Sequence, residues 1–157
     1  MTATLDSNIL IYALDTRDPH RRDVARKVVT LAMLGDVILT TQAIGETLKI
    51  VTTKADIHAP KAIAEIERWT GLFSIADTHA SDMLAAARFA ARHQLQFWDS
   101  VIWQVARRRR VKWFVSEDLQ DGLIIDGMEV VNPFNPANLA RLPIILAPNG
   151  PAFRPAP

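Results

Sequence analysis

Acidic residues follow several of the short apolar segments in this 157-residue sequence. Asp6 comes directly after "TATL", Glu46 lies in the helical segment after "VILT", and Asp99 opens the helical segment "DSVIWQ". Glu117 and Asp118 follow "WFV". Carboxylates that converge raise one another's pKa values unless a cation relieves the repulsion. Hard oxygen ligands suit Mg²⁺ or Mn²⁺, and these ions can support phosphodiester cleavage.

The segments around these acids alternate between predicted strands and predicted helices. Strands are predicted for residues 2–5, "DVILT", "LFSI" and "VKWFV". Asp18 and Pro19 begin a long helix that Gly35 ends, and "APKAIAEIERWTG" repeats this pattern. The alternation predicts an α/β fold with a mainly parallel sheet covered on both faces. Because the carboxyl ends of parallel strands share one edge, the acids can converge there.

Each acid also has an ordinary structural explanation. Asp6 and Asp99 stand where helix N-caps favour Asp. Glu46 lies roughly opposite the apolar stripe of its helix, where a solvated glutamate is usual. Glu117 and Asp118 are residue types that are common in turns. Residue by residue, the structural and the metal-binding interpretations therefore both stay open.

The motifs "LDSNIL", "GE", "FWDS" and "SEDLQDG" occur in that order. Over about residues 2–131 they resemble the four motif regions of the PIN domain family, the nuclease domain of VapC-like toxins in prokaryotic toxin–antitoxin systems. The resemblance implies a three-layer α/β/α sandwich and a metal-dependent ribonuclease. It implies Asp6, Glu46 and Asp99 as the core acids, Asp118 as the fourth acid, and Asp121 as a further, more variable metal ligand.

Supporting residues, a cofactor and partners follow from the same resemblance. Asn8 matches the polar residue that steadies the first carboxylate. The family's fourth acid follows a Ser or Thr by two positions, which selects Asp118 from Ser116. Successive side chains of an extended strand point to opposite sides, so Glu117 is predicted to face away from the metal. The implied cofactor is Mg²⁺ or Mn²⁺, the implied substrate is RNA, and the implied partners are a cognate antitoxin and a second copy of the chain.

Composition limits the remaining possibilities. With 49% hydrophobic and 22% charged residues, the chain is long enough for one domain, predicted over residues 1–131, followed by a Pro-rich tail over 132–157. Zero cysteines exclude disulfides and thiolate zinc sites, and the four histidines form no H-E-x-x-H pair. The net charge is only +1. Without an apolar run of spanning length or a leader, the sequence predicts a cytoplasmic protein that does not enter membranes.

Rival functions lack their motifs. No phosphate-binding loop, dinucleotide-binding glycine motif or serine-hydrolase elbow occurs. A haloacid-dehalogenase-like phosphatase would need an acid at the position of Asn8. The remaining alternative is a catalytically silent PIN-like scaffold that binds protein, and the presence of all four acids argues against it.

A few residues near the acids have no assigned role. Gly45 lies inside a predicted helix, where glycine costs about 1 kcal/mol and often permits a close approach. Lys49 is either a salt-bridged surface residue or a contact for substrate phosphate. The tryptophans are expected in the core or in interfaces rather than as base-stacking platforms. For Arg107–Arg110, stabilisation of a helix end is favoured slightly over contact with phosphate.

Overall fold

A computed structural model describes residues 3–54 and 57–148 of the chain. The strands are β1 (Ala3–Leu5), β2 (Val37–Thr40), β3 (Ser74–Ala76), β4 (Trp113–Val115), β5 (Ile124–Ile125) and β6 (Met128–Val131). The helices are α1 (Ser7–Leu14), α2 (Pro19–Ala32), α3 (Thr41–Thr53), α4 (Ala59–Leu72), α5 (Ala80–His93), α6 (Phe97–Arg108) and α7 (Leu142–Leu146), with a 3₁₀ turn at Pro136–Asn138.

The strands form one six-stranded sheet in the order β3-β2-β1-β4-β6-β5. All neighbouring pairs are parallel except β5 and β6, which are antiparallel. Their connection uses Asp126 and Gly127, both with positive φ (51° and 80°), as a two-residue hairpin turn requires. An Asp-Gly pair between two apolar runs is typical of such a turn. The predicted α/β fold, a mainly parallel central sheet flanked by helices, is confirmed.

The strand order reverses between β1 and β4. From β1 the chain adds β2 and then β3 on one side, whereas β4 pairs with the other side of β1. In open α/β sheets, ligands bind in the crevice at such a switch point, beyond the carboxyl ends of the strands. The residues that follow β1 and β4 begin with Asp6 and Ser116, so this crevice is where the acids gather.

Apolar helix faces and strands together make the core. β1 and β2 are fully buried along their lengths, and α6 has a continuous buried segment from Ser100 to Ala106. Helix α2 begins as predicted, with the Asp18 carboxylate accepting a hydrogen bond from the Arg21 amide at 3.0 Å and Pro19 in the first turn. No helix within residues 3–54 and 57–148 is long and apolar enough to cross a membrane.

The Pro-rich segment packs against the fold over the part that the structure describes, residues 132–148. Helix α7 contacts α2, and Leu142, Ile145 and Leu146 are buried. A Cβ on Gly35 would lie 1.7 Å from the carbonyl oxygen of Leu146, so only glycine fits there. The boundary at residue 131 stays a prediction, and residues 149–157 lie outside the described residues.

Candidate active site

Asp6 lies between the end of β1 and the start of α1. It is 1% exposed, and it is the N-cap residue of α1. Its carboxylate accepts hydrogen bonds from the Ser7 amide at 2.7 Å, from Asn8 Nδ2 at 3.3 Å and from Ser116 Oγ at 2.6 Å. Its amide donates to the Val115 carbonyl at 2.9 Å. Asp6 therefore caps a helix and at the same time joins β1 to the end of β4, and Asn8 and Ser116 both donate to its carboxylate.

Glu46 is held from two sides. Ser7 Oγ donates to Oε2 at 2.6 Å, and Gln42 Nε2 donates to Oε1 at 2.8 Å. These bonds link the start of α1 to α3 and give the carboxylate a fixed direction. Sequence reasoning missed both donors; Gln42 lies four residues before Glu46, which places the two side chains on the same helix face, whereas Ser7 carries no such signal.

Asp99 lies in the first turn of α6, but it is not the cap. The N-cap residue is Gln96, and within the described residues no hydrogen bond is made to the Asp99 carboxylate. The carboxyl group is partly buried. Helix capping therefore does not explain an acid at this position.

The adjacent acids Glu117 and Asp118 point in different directions. Glu117 accepts short hydrogen bonds from the Tyr12 hydroxyl and the Arg21 guanidinium group. Arg21 also lies over the rings of Tyr12 and Phe134, 4.9 Å and 5.4 Å from their centroids. The Asp118 amide donates to Ser116 Oγ at 3.1 Å, and the Asp118 side chain faces the cleft described below.

Asp121 lies among asparagines rather than with the other acids. Its carboxylate accepts hydrogen bonds from the Asn132 amide at 2.8 Å, from Asn135 Nδ2 at 2.7 Å and from Asn138 Nδ2 at 2.8 Å. It does not line the cleft. The structure places Asp121 as an anchor for the segment after β6, and its role as a metal ligand stays an untested prediction.

An open cleft of about 710 Å³ lies between α1, α3 and the start of α6, within the size range of ligand-binding pockets. Its lining residues are Ile11, Gln42, Gly45, Glu46, Lys49, Ile50, Gln96, Trp98, Asp99 and Asp118. Three of the four predicted acids thus face this cleft.

Two of the four acids, Asp6 and Asp99, have raised pKa values. Burial, reinforced by the charges of Asp99 and Asp118, raises the pKa of Asp6 to about 7, although the hydrogen bonds from Ser116 and Ser7 act in the opposite direction. Burial and the charges of Asp118 and Glu46 raise the pKa of Asp99 to about 6. In the part of the chain that the structure describes, no Lys, Arg or His forms an ion pair with any of the four.

This donor set fits a hard divalent cation. All of its donors are oxygen atoms, and carboxylates that repel one another are stabilised by an ion between them. The buried amide oxygen of Asn8 adds a further oxygen with no hydrogen-bond partner among the described residues. No three acidic or histidine side chains within residues 3–54 and 57–148 already converge as a complete binding group. The arrangement is thus a cluster of carboxylates and not a preformed coordination shell.

The arginine run lies at the other end of α6. Arg107 pairs with Asp126 at 3.3 Å, and Arg108 pairs with the buried Asp82 at 3.0 Å. Asp99 and Arg108 are nine helical residues apart, or about 14 Å along the axis. Arg107 and Arg108 therefore lie in the last turn of α6 and each has an acidic partner within the fold.

Comparison with known proteins agrees with this architecture. No curated protein matches the sequence significantly. Among solved structures, a toxin–antitoxin complex from Klebsiella pneumoniae shares 17% identity, covering 85% of this chain and 98% of that chain with a TM-score of 0.63. VapC20 from Mycobacterium tuberculosis, a sarcin–ricin loop cleaving toxin, shares 15% identity over 72% of this chain and 87% of its own (TM-score 0.61). VapBC2 from Rickettsia felis, bound to a promoter DNA fragment, shares 13% identity over 83% of this chain and 97% of its own (TM-score 0.61).

These structures share the fold with this chain. The family model of the PIN domain matches residues 3–120, which include β1 to β4 and four of the predicted acids. The chain therefore belongs to the PIN domain family.

Proposed function

We propose that the protein is a metal-dependent endoribonuclease that hydrolyses phosphodiester bonds of RNA. One observation carries the proposal: carboxylates from four distant segments gather at the switch point of the sheet, and no described cation pairs with them. Asp6, Glu46, Asp99 and Asp118 would hold the ion, which is Mg²⁺ or Mn²⁺. PIN domain nucleases in general use divalent metals.

The four acids divide into a braced pair and an unbraced pair. Asp6 and Glu46 have fixed directions because Ser7 donates to both and Asn8, Ser116 and Gln42 complete their hydrogen bonds. Asp99 and Asp118 accept no side-chain hydrogen bond from the described residues and face the cleft. The hydrogen-bonded pair, Asp6 and Glu46, would fix the position of the ion. The other pair, Asp99 and Asp118, can change side-chain conformation to accommodate an ion and a phosphate group.

A bound divalent ion supplies Lewis-acid chemistry, because it lowers the pKa of water and stabilises charge on the leaving oxygen. The residues of this chain do the remaining work. Below neutral pH, Asp6 and Asp99 would release protons on binding the ion, since their pKa values are raised to about 7 and about 6 in its absence.

The biological role that we propose is that of the toxin in a type II toxin–antitoxin pair. Support comes from the solved structures of similar fold, which include a VapC toxin and toxin–antitoxin complexes. A cognate antitoxin protein would bind the chain and silence it, and the chain would act in the cytoplasm as a homodimer.

The test of the activity is cleavage of single-stranded RNA by the purified protein. With Mg²⁺ or Mn²⁺ the wild type should cleave, and a chelator should stop it. Asp99→Asn should reduce the rate on the order of 100-fold or more, because a ligand is lost. Cleavage that persists in the chelator would contradict the proposal. So would the absence of cleavage with either ion, which would favour a catalytically silent scaffold.

A further inference from the structure

Beyond the acids, one wall of the cleft has three residues to which the proposed cleavage assigns no role. Trp98 precedes Asp99 in the first turn of α6 and is 49% exposed, whereas Trp69 and Trp103 are buried. The ring of Trp98 contacts that of Phe97, with the centroids 4.8 Å apart, and the remainder of the indole is exposed at the edge of the acidic cleft. Aromatic side chains of this kind are the usual platforms on which proteins stack unpaired bases.

Lys49 lies on the same wall. It is exposed, it lines the cleft together with Glu46 and Asp99, and it forms no ion pair with any residue of the described ranges. The salt-bridged interpretation of this lysine is therefore not what the structure shows. A free ammonium group beside carboxylates that would hold a cation is well placed to contact a phosphate of a polyanion.

Gly45 gives a third, independent observation. It lies inside α3 and lines the cleft, but a Cβ added to it would meet nothing within 4 Å. No packing in the protein requires a glycine here, and glycine weakens a helix. The space that the missing side chain leaves opens into the cleft, where a ligand can approach the helix backbone closely.

We propose that the α3–α6 wall of the cleft binds one unpaired nucleotide of the RNA, with its base stacked on Trp98 and a phosphate against Lys49, next to the open backbone of Gly45. This inference rests on the proposed function and specifies its substrate as a single-stranded segment. A base that is already paired in a duplex cannot stack on Trp98, so duplex RNA is a poor ligand for this wall.

The experiment measures binding separately from cleavage. A short labelled single-stranded RNA of mixed sequence is titrated with protein in a chelator, and its fluorescence anisotropy gives the affinity; the same strand in a duplex serves as a second ligand. The wild type should prefer the single strand. Trp98→Ala should weaken binding by roughly 5- to 150-fold, the range for base–aromatic stacking, and Trp98→Phe should retain most of it. The matched control is Leu84→Ala, which removes another exposed apolar side chain, on α5.

The other two positions have matched controls of the same residue type. Lys49→Gln should reduce the magnitude of the slope of log affinity against log salt by about 0.7, which is the value for the loss of one phosphate contact to a single strand. Lys61→Gln on α4 should leave the slope unchanged. Gly45→Ala should raise the melting temperature and weaken RNA binding. Gly71→Ala, at an equally open position in α4, should leave RNA binding unchanged.

The outcomes separate the two proposals. If the wild type cleaves RNA but Trp98→Ala and Lys49→Gln bind as tightly as the wild type, the nucleotide site is wrong and the nuclease stands. If Trp98→Ala changes the oligomeric state in light scattering and leaves RNA affinity unchanged, the indole is a protein contact and the nucleotide site is overturned. If the wild type cleaves nothing but binds single strands through Trp98, the nuclease fails and the nucleotide site is supported.

Discussion

At the scale of single residues, Asp6 is both a helix cap and a member of the carboxylate cluster. Capping and metal binding are alternative explanations of its position in the sequence, but its geometry meets both requirements, since one oxygen accepts from the Ser7 amide and the other from Ser116 and Asn8. Neutralising this carboxylate without changing its shape therefore separates the two roles.

Asp6→Asn is expected to stabilise the metal-free protein at about pH 8 and to change its stability little near pH 4. The pKa of Asp6 in the folded protein is raised from its usual 3.8 to about 7. The stabilisation from this group is therefore fully present below about 3.8 and is lost as the pH rises through about 7. A shift of this size corresponds to up to ~4 kcal/mol at the alkaline end. Urea unfolding of the wild type and the variant in a chelator at both pH values measures the difference in their free energies of unfolding. An equal loss of stability at both pH values would contradict the raised pKa of Asp6.

The neighbouring pair Glu117 and Asp118 gives the second residue-scale prediction. Asp118→Ala should reduce cleavage on the order of 100-fold while leaving metal-free stability unchanged or higher, because a repelling charge is removed from the cleft. Glu117→Ala should instead lower the free energy of unfolding by about 1–3 kcal/mol, since Tyr12 and Arg21 lose their acceptor. Its cleavage rate should fall less than tenfold. Cleavage rates and thermal unfolding of both variants distinguish the two roles. The reverse pattern would show that Glu117, and not Asp118, belongs to the carboxylate cluster.

At the scale of elements, most of what places the site is predictable from short-range patterns. The cap and proline at the start of α2 and the hairpin turn at Asp126 and Gly127 follow from local chemistry alone. The contacts between distant segments do not. Nothing local indicates that Ser7 donates to Glu46, or that Asp121 turns toward Asn132 and away from the cleft. The direction of a loop side chain depends on partners that only the folded chain supplies.

The contact between α7 and the turn after α2 is such a long-range feature, and it gives a prediction at this scale. Gly35→Ala should destabilise the protein by about 1–3 kcal/mol, because its Cβ would lie 1.7 Å from the Leu146 carbonyl oxygen and the backbone would have to move. Gly71→Ala is the control, since its Cβ meets nothing and the helix gains up to ~1 kcal/mol. Thermal unfolding measures both. An unchanged melting temperature for Gly35→Ala would mean that α7 does not lie against this turn.

At the scale of the whole molecule, the sheet topology explains why acids far apart in the sequence meet. The order of strands reverses between β1 and β4, and the acids Asp6 and Asp118 follow these two strands. Acidic and basic side chains lie at opposite ends of α6. The carboxylates gather at one end of α6, whereas Arg107 and Arg108 form ion pairs with Asp126 and Asp82 at the other. With a net charge of +1, RNA affinity is expected to depend on the cleft rather than on an overall positive field.

Isothermal titration calorimetry of the protein with Mn²⁺ tests whether the four carboxylates form one metal site. The wild type should bind one or two ions, with release of protons near pH 6 that disappears by about pH 8.5, because the raised pKa values of Asp6 and Asp99 place protons on them at the lower pH. Asp99→Asn should weaken binding at least tenfold. Glu117→Gln, which changes an adjacent acid outside the cluster, should bind as the wild type does. A wild type that binds no Mn²⁺, or an Asp99→Asn variant that binds it equally well, would contradict the account.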